Sequence, residues 1–310
     1  MRNMKNINKQ PLVSIIMPVY NAGGFLVTAI ESIKNQTYEN WELIAVNDGS
    51  TDNSFVILKR LAKKDKRIRV FSLKENQGVG AAANLAIRKA RGKFLARFDA
   101  DDLMPKNRLQ LQINYLKIHP EILAVGGQCV IIDEKNRLLG KKTFPINDDK
   151  IRKMSFITMS LQAGSMMINR SKLPKDFKYY SVKHHYFEDH ELLFKLLLLG
   201  KVANLSQTLL YYRQHNENTI KKIRIKKIFF SLLKLRIKAM FNGLSPDYQG
   251  VIANIVQLIL VSVLPEKFIE KLYFFLRITI SKLFIIKKIN KSKKNNYKYR
   301  LSTGVLMKNV

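Results

Sequence analysis

Four times in the first hundred residues a short apolar run gives way to a turn-rich break and then to a helical pattern. Val13–Met17 stops at Pro18-Val19-Tyr20-Asn21-Ala22-Gly23-Gly24 and is followed by helical spacing over Phe25–Lys34. Trp41–Val46 ends in Asn47-Asp48-Gly49-Ser50-Thr51-Asp52 before a helix predicted over Ser54–Lys64, with Asp52 or Asn53 as its cap. Ile68–Leu73 leads through Asn76-Gln77-Gly78-Val79-Gly80 into an alanine-rich helix over Ala81–Ala90, and a fourth run starts at Phe94. Runs that are apolar on both faces belong to strands covered on both sides, so the alternation predicts an α/β fold with a mostly parallel central sheet flanked by helices. Such sheets receive ligands at the carboxyl ends of their strands.

The fourth run ends in three acids within four positions, Asp99-Ala100-Asp101-Asp102. Read as a strand end, the alternation of side chains puts Asp99 and Asp101 on one side. Two carboxylates held together call for a cation, and Mg²⁺ or Mn²⁺ takes oxygen ligands together with substrate phosphates. The same letters also describe a solvated acidic turn, so the rest of the chain decides between the two.

Further along, the pattern predicts a helix over Asn107–Lys117, a strand over Leu123–Asp133, and a small-residue turn entering a strand at Gln162–Asn169. The stretch Phe144–Met159 has no clear period. Glu188-Asp189 opens an apolar helix that ends at Gly200, and Val202–Tyr212 is a last strand or pair of strands, ending at Arg213-Gln214-His215. Acids at a helix start complement its dipole, which is one account of Glu188 and Asp189.

The charge balance is strongly basic: 55 Lys+Arg against 23 Asp+Glu, a net of +32. The excess is concentrated late, with nineteen Lys/Arg against three Asp/Glu between residues 221 and 300. Val251–Leu264 is apolar but short, and Lys271, Arg277 and Lys282 interrupt the run that follows, so no membrane-crossing helix is expected. Amphipathic helices on an anionic membrane surface fit the interleaving of Lys, Ile and Phe. The expected organisation is an extension at 1–11, a body at 12–216, a basic helical region at 217–290 and a flexible tail at 291–310. The single cysteine, Cys129, lies in an apolar run and reads as a core residue in a reducing compartment.

Taken in order, Pro18-Val19-Tyr20-Asn21, Asn47-Asp48-Gly49-Ser50-Thr51-Asp52, Asn76-Gln77-Gly78, Ala96–Asp102, Arg108–Gln112, Glu188-Asp189 and Tyr212–His215 resemble the motifs of bacterial family 2 glycosyltransferases. The resemblance implies the GT-A fold and inverting transfer of a sugar from a nucleotide sugar, a uridine diphosphate sugar in the usual case. It implies that Pro18, Val19, Tyr20 and Asp48 hold the base, with Asn21, Gly49, Ser50, Asn76 and Gly78 completing the nucleotide pocket. Asp99 would meet ribose and metal, Asp101 metal and diphosphate, and His215 the metal. Asp189 matches the family's general base, with Glu188 tuning it. Relatives often carry an Arg before the Asn of the third helix; here Ala83 precedes Asn84, so Arg97 or Arg213 would substitute at the diphosphate. The implied partners are a nucleotide sugar, a lipid-linked saccharide acceptor and the anionic inner face of the cell membrane, with no specific nucleic acid.

A competing reading is a nicotinamide-dependent oxidoreductase, because Gly78-Val79-Gly80-Ala81-Ala82-Ala83 fits the dinucleotide fingerprint and Asp99 follows about twenty residues later. That fingerprint normally follows the first strand, and one ribose-binding acid does not need Asp101 and Asp102 beside it. A non-enzymatic nucleic-acid binder accounts for the charge but not for the acid-lined loops, and no recognition module accompanies it.

Overall fold

The computed structural model describes residues 10–181, 187–215, 225–265 and 268–269. Strands β1 (Val13–Val19), β2 (Trp41–Asp48), β3 (Ile68–Leu73) and β4 (Phe94–Arg97) are parallel neighbours in the order β3-β2-β1-β4. The sheet continues through β7 (Met167–Asn169), antiparallel to β4, and then β5 (Ile122–Ile132), antiparallel to β7. The short β6 (Leu138–Lys142) pairs antiparallel with the end of β5. β8 (Lys201–Arg213) runs parallel to β5. Two reversals separate β4 from β5, so β5 and β8 point the same way as β1–β4 and all of them end at one edge.

Alternation along β1 separates two cores. Val13, Ile15, Met17 and Val19 face helices α1 (Gly23–Lys34), α2 (Ser54–Lys64) and α4 (Arg108–Ile118). Ile16 joins Ile44 and Val46 against α3 (Val79–Lys89), α5 (Asp148–Ser155) and α6 (Glu188–Leu199). Every residue of β1 and β2 is buried, as strands covered on both faces require. The ordinarily solvated Glu42 is held inside by hydrogen bonds from Ser14 Oγ at 2.7 Å and Arg91 N at 2.7 Å, and by Arg69 Nη1 at 2.9 Å. Burial alone would raise its pKa; these donors outweigh burial and lower it.

The unplaced stretch contains α5, capped by Asn147 Oδ1 accepting from Lys150 N. Only Ile151 and Ser155 of its eight residues are buried, too few to print a period on the sequence. After β8 come α7 (Ile225–Phe241) and α8 (Tyr248–Val263), which belong to the same compact unit as the sheet, a unit that runs to Glu266. No helix among the described residues is long and apolar enough to cross a membrane. Cys129 is buried, as expected. The predicted flexible tail and most of the apolar run from Phe268 onward lie outside the described residues.

Candidate active site

The loops that follow β1 and β2 are tied together by their own side chains. Asn21 adopts a left-handed φ of 47°, and this turn lets its N–H donate to Ser50 Oγ at 3.1 Å while its Oδ1 accepts from Thr51 N at 2.9 Å. Ala22 N donates to Ser54 Oγ and Gly23 N to Asp52 Oδ2, each at 2.9 Å. Asp52 Oδ1 also accepts from Ser54 N, so this carboxylate fastens two loops; of the two expected caps of α2 it is Asn53 that stands at the N-cap, without a side-chain bond. Tyr20 stays half exposed beside this junction, while Pro18 and Val19 are buried in the strand.

Asp48 ends β2 and is buried; its Oδ1 accepts from Gln77 N at 2.8 Å, bringing in the loop after β3. Burial raises its pKa, and the backbone N–H groups of Gln77 and Gly78 hold the shift back. Gly49 has φ +64°, and a Cβ there would lie 2.5 Å from the Glu75 carbonyl carbon and 2.6 Å from Asn76 N. Only glycine fits this crossing of two loops. Gly49→Ala is expected to cost about 2 kcal/mol, from the left-handed backbone and the displaced loop. A lowered melting temperature together with weaker nucleotide binding checks it.

At β4 the structure departs from the expected alternation. The strand ends at Arg97, and residues 99–102 form a turn, so the carboxylates of Asp99, Asp101 and Asp102 go to three different partners. Asp99 Oδ1 pairs with Arg97 Nη2 at 2.7 Å. Asp101 Oδ2 meets His215 Nε2 at 2.9 Å. The fully enclosed Asp102 accepts from Arg213 N at 2.8 Å, while its Oδ2 has no hydrogen-bond partner. Burial, with Asp101 and Asp99 adding to it, pushes the Asp102 carboxyl well above the usual range. Gly164 makes room for the turn, because a Cβ on it would stand 2.8 Å from Asp99 Oδ2 and 3.4 Å from Asp102 Oδ2.

Two buried arginines hold this turn from below. Arg108, wholly buried, donates to the carbonyls of Arg97 at 2.8 Å and Gly164 at 2.7 Å, and to Gln112 Oε1 at 3.1 Å. Arg97 donates to Phe98 O at 2.7 Å and lies within electrostatic reach of Tyr180, Asp189 and Glu188 as well as Asp99. Burial would weaken its charge, but those groups outweigh burial and keep it firmly protonated. Glu188 and Asp189 stand in the first turn of α6. Burial pushes Asp189 up to about 6, Arg97 opposing and Asp99 adding to the shift. Burial and then Asp189 raise Glu188 as well. The guanidinium that pairs with Asp99 thus lies within electrostatic reach of the two acids opening α6.

Arg213 and His215 arrive from β8 at the same edge. Arg213 Nε donates to Asp101 O at 2.6 Å and its Nη1 to Asn136 Oδ1 at 2.7 Å and Asp133 O at 3.0 Å. Its guanidinium lies 4.9 Å from the Phe25 ring, and the His215 ring stands 5.0 Å from that ring. Phe25 lies in the first turn of α1, close in sequence to Asn21, so the start of that helix stands beside the Arg213 and His215 side chains that hold the acidic turn.

The sequence matches the family profile described as Glycosyl transferase family 2 over residues 14–177. The chain belongs to this family. A glycosyltransferase of Haemophilus influenzae, itself uncharacterized, is 33% identical over 248 residues, 73% of this chain and 76% of that protein. TuaG of Bacillus subtilis, named as a putative teichuronic acid biosynthesis glycosyltransferase, is 39% identical over 109 residues, 35% of this chain and 43% of that one. Among solved structures, S. aureus TarS 1–349 in complex with UDP-GlcNAc superposes with a TM-score of 0.59 at 18% identity, covering 78% of this chain and 69% of that one. The mannosyltransferase PcManGT of Pyrobaculum calidifontis, in complex with GDP-Man and Mn²⁺, gives 0.59 at 18%, covering 83% and 71%. These likenesses establish the GT-A fold.

Membership of a glycosyltransferase family disposes of the oxidoreductase reading, and the geometry explains the false match. The loop ahead of Gly78 is already engaged, since Asp48 takes the Gln77 N–H. Gly80 and its neighbours serve packing: a Cβ on Gly80 would meet Ser181 O at 3.1 Å and Tyr180 Cβ at 3.3 Å. Asn84 completes that contact, accepting from Tyr180 N at 3.2 Å and donating to Tyr180 O at 2.9 Å. Tyr180, which no sequence motif marked, is thus fixed beside Arg97 and Asp189. The two arginines expected to stand in at the diphosphate are both engaged within the protein. Arg97 is 5% exposed and paired with Asp99, and Arg213 is 1% exposed and bonded to main-chain carbonyls.

Asp101 and His215 offer the donor set a divalent cation takes from such a protein, one carboxylate oxygen and one imidazole nitrogen already side by side. Among the described residues no three His, Cys, Asp or Glu converge, so substrate oxygens would complete the shell. On those grounds the residues fit Mg²⁺ or Mn²⁺.

Proposed function

We propose that the enzyme moves a sugar from a nucleotide sugar, a uridine diphosphate sugar, to a hydroxyl of a saccharide acceptor with inversion, in the synthesis of a surface polysaccharide. The observation that carries the reading is that Arg97 pairs with Asp99 and lies within electrostatic reach of Glu188 and Asp189, at the strand edge where Asp48 and Asp101 also stand. UDP-GlcNAc bound to TarS supports the donor class, and the name of TuaG supports the polysaccharide.

In this reading the base lies against Pro18, Val19, Tyr20 and Asp48, the ribose against Asp99, and the diphosphate toward Asp101. Asn21, Gly49, Ser50, Asn76 and Gly78 shape the nucleotide's cradle through the loop contacts described above. A metal would be held by Asp101 and His215, with Asp99 nearby; when bound it neutralises negative charge on the leaving diphosphate. Asp189 takes the proton from the acceptor hydroxyl as that oxygen attacks the anomeric carbon opposite the leaving group. Glu188 is the neighbour that tunes it. No second carboxylate is assigned as a nucleophile, so the transfer inverts configuration in one displacement.

A panel of UDP- and GDP-sugars tests the proposal, with Mg²⁺ or Mn²⁺ present and release of nucleoside diphosphate measured. One or a few UDP-sugars should turn over, and chelation should stop the reaction. Asp101→Ala is expected to raise the metal concentration for half-maximal rate by about tenfold or more. Inert donors throughout, or turnover indifferent to chelator, would count against the reading.

A further inference from the structure

Helix α8 is inside out for a protein surface. Two of its polar residues face the body while Gln249 and Ser262 are exposed: Asn254 Oδ1 accepts from Arg236 Nη1 at 2.7 Å, Gln257 Oε1 accepts from the same nitrogen at 3.2 Å, and Asn254 Nδ2 donates to Phe156 O at 2.7 Å. Outward, Val251, Ile252, Ile255, Val256, Leu258, Ile259, Leu260 and Val263 are all exposed. At 100° per residue these positions span an arc of about 200°. The helix carries no charged side chain, and the neighbouring α7 adds exposed Phe230, Ile237, Met240 and Phe241. Single exposed aliphatics need no explanation, but eight on one side of a helix, with only Gln249 and Ser262 among them, mark an interaction surface.

We propose that this face docks on the surface of an anionic membrane, with α8 lying in the plane of the leaflet and its aliphatic arc among the acyl chains. The charge of the sequence on either side of α8 selects that occupant. Residues 221–300 carry nineteen Lys/Arg against three Asp/Glu. One of the three acids, Asp247, is spent capping α8 through Gly250 N. A second copy of the chain would bring two such basic stretches together, whereas anionic headgroups complement them. Sixteen residues of helix reach about 24 Å, short of the roughly 30 Å hydrocarbon core, so α8 lies along the membrane and does not cross it.

Docking there also bears on the acceptor, a step that rests on the function proposed above. Residues 155–157 are shared between the hairpin and the helix of the base: Ser155 O contacts His190 Nε2 at 2.9 Å, next to Asp189, while Phe156 O and Ile157 O bind Asn254 and Arg236. Lys238 of α7 reaches Glu191 at 3.4 Å. The surface that meets lipid is thus braced directly on the first turn of α6. The acceptor class this favours is a saccharide carried on a membrane lipid.

The test uses the full chain and sedimentation with vesicles of phosphatidylglycerol and phosphatidylcholine, against phosphatidylcholine alone. Binding is expected to the anionic vesicles and to fall about tenfold or more in I255E/I259E. Donor hydrolysis by that variant should equal the wild type's, showing that it is folded. Cys129 is the only cysteine and is buried, so a polarity-sensitive label on Ile259→Cys reads the face with a milder change. Its emission should shift to the blue with anionic vesicles only. Unchanged binding by I255E/I259E would leave the lysines as the sole attachment and overturn the proposal. So would a wild-type dimer in light scattering that ignores vesicles and is dissolved by the double substitution. Loss of donor turnover with vesicle binding intact would fault the catalytic reading instead.

Discussion

Asp189→Asn is expected to lower turnover about a thousand-fold while nucleotide binding stays within a few-fold of the wild type, the range lost when a positioned base can no longer accept a proton. Asn keeps the shape and the hydrogen-bonding capacity of the side chain, so the site keeps its form. The stability response separates loss of chemistry from loss of fold. A carboxyl whose folded pKa is raised contributes stability below its ordinary value and loses that contribution as pH rises through the folded pKa. Asp189, pushed up to about 6, therefore costs stability once ionised, and the Asn variant should melt no lower than the wild type at pH 8. The same carboxyl should set the acid limb of the pH profile, with kcat/KM of the wild type rising as pH increases through about 6. A variant that turns over within tenfold of the wild type would move the base elsewhere, with Glu188 the nearest group to examine.

The strand ends were legible because each is an apolar run stopped by Gly, Asn or Asp, and that punctuation is local. β3 occupies Ile68–Leu73, the span its composition predicts, and the motifs after β1, β2, β3 and β4 fall at one edge. What the letters could not carry was the course of the chain beyond Arg97. Extending strand alternation through Asp99 and Asp101 put both carboxylates on one side, but β4 stops where Arg108 captures the Arg97 carbonyl, a contact made across eleven residues by a side chain on another element. The role of Arg97 was hidden for a related reason. A basic residue inside an apolar run looks available to an anionic substrate until the fold surrounds it with the protein's own acids. Tyr180 had no signal of its own, though Gly80, on which a Cβ would crowd Tyr180, marks a place on α3 where another part of the chain comes close.

Arg97→Met should produce the largest loss of stability, and one that depends on pH. Removing one member of a buried ion pair costs about 3–5 kcal/mol because the other charge is left uncompensated. Asp99 is itself 32% exposed and can draw on solvent, which places the expected loss near the lower end, about 3 kcal/mol. With the guanidinium gone, Asp99, Asp189 and Glu188 all rise further, since each loses the same opposing cation. Their raised folded values mean that the variant's deficit is smallest in acid, where the carboxyls are neutral, and widens as pH rises through them. Melting curves of the two proteins should therefore converge toward pH 5 and separate toward pH 8. Activity should follow in the same direction, the acid limb of kcat/KM moving to higher pH because Asp189 holds its proton longer. Arg97→Lys keeps the charge and should restore most of the pH position but less of the stability, for it lacks the fork that bonds Asp99 and Phe98 O together. A stability deficit independent of pH, or an acid limb that stays in place in Arg97→Met, would mean that the arginine only fills space and does not set the charge state of the base.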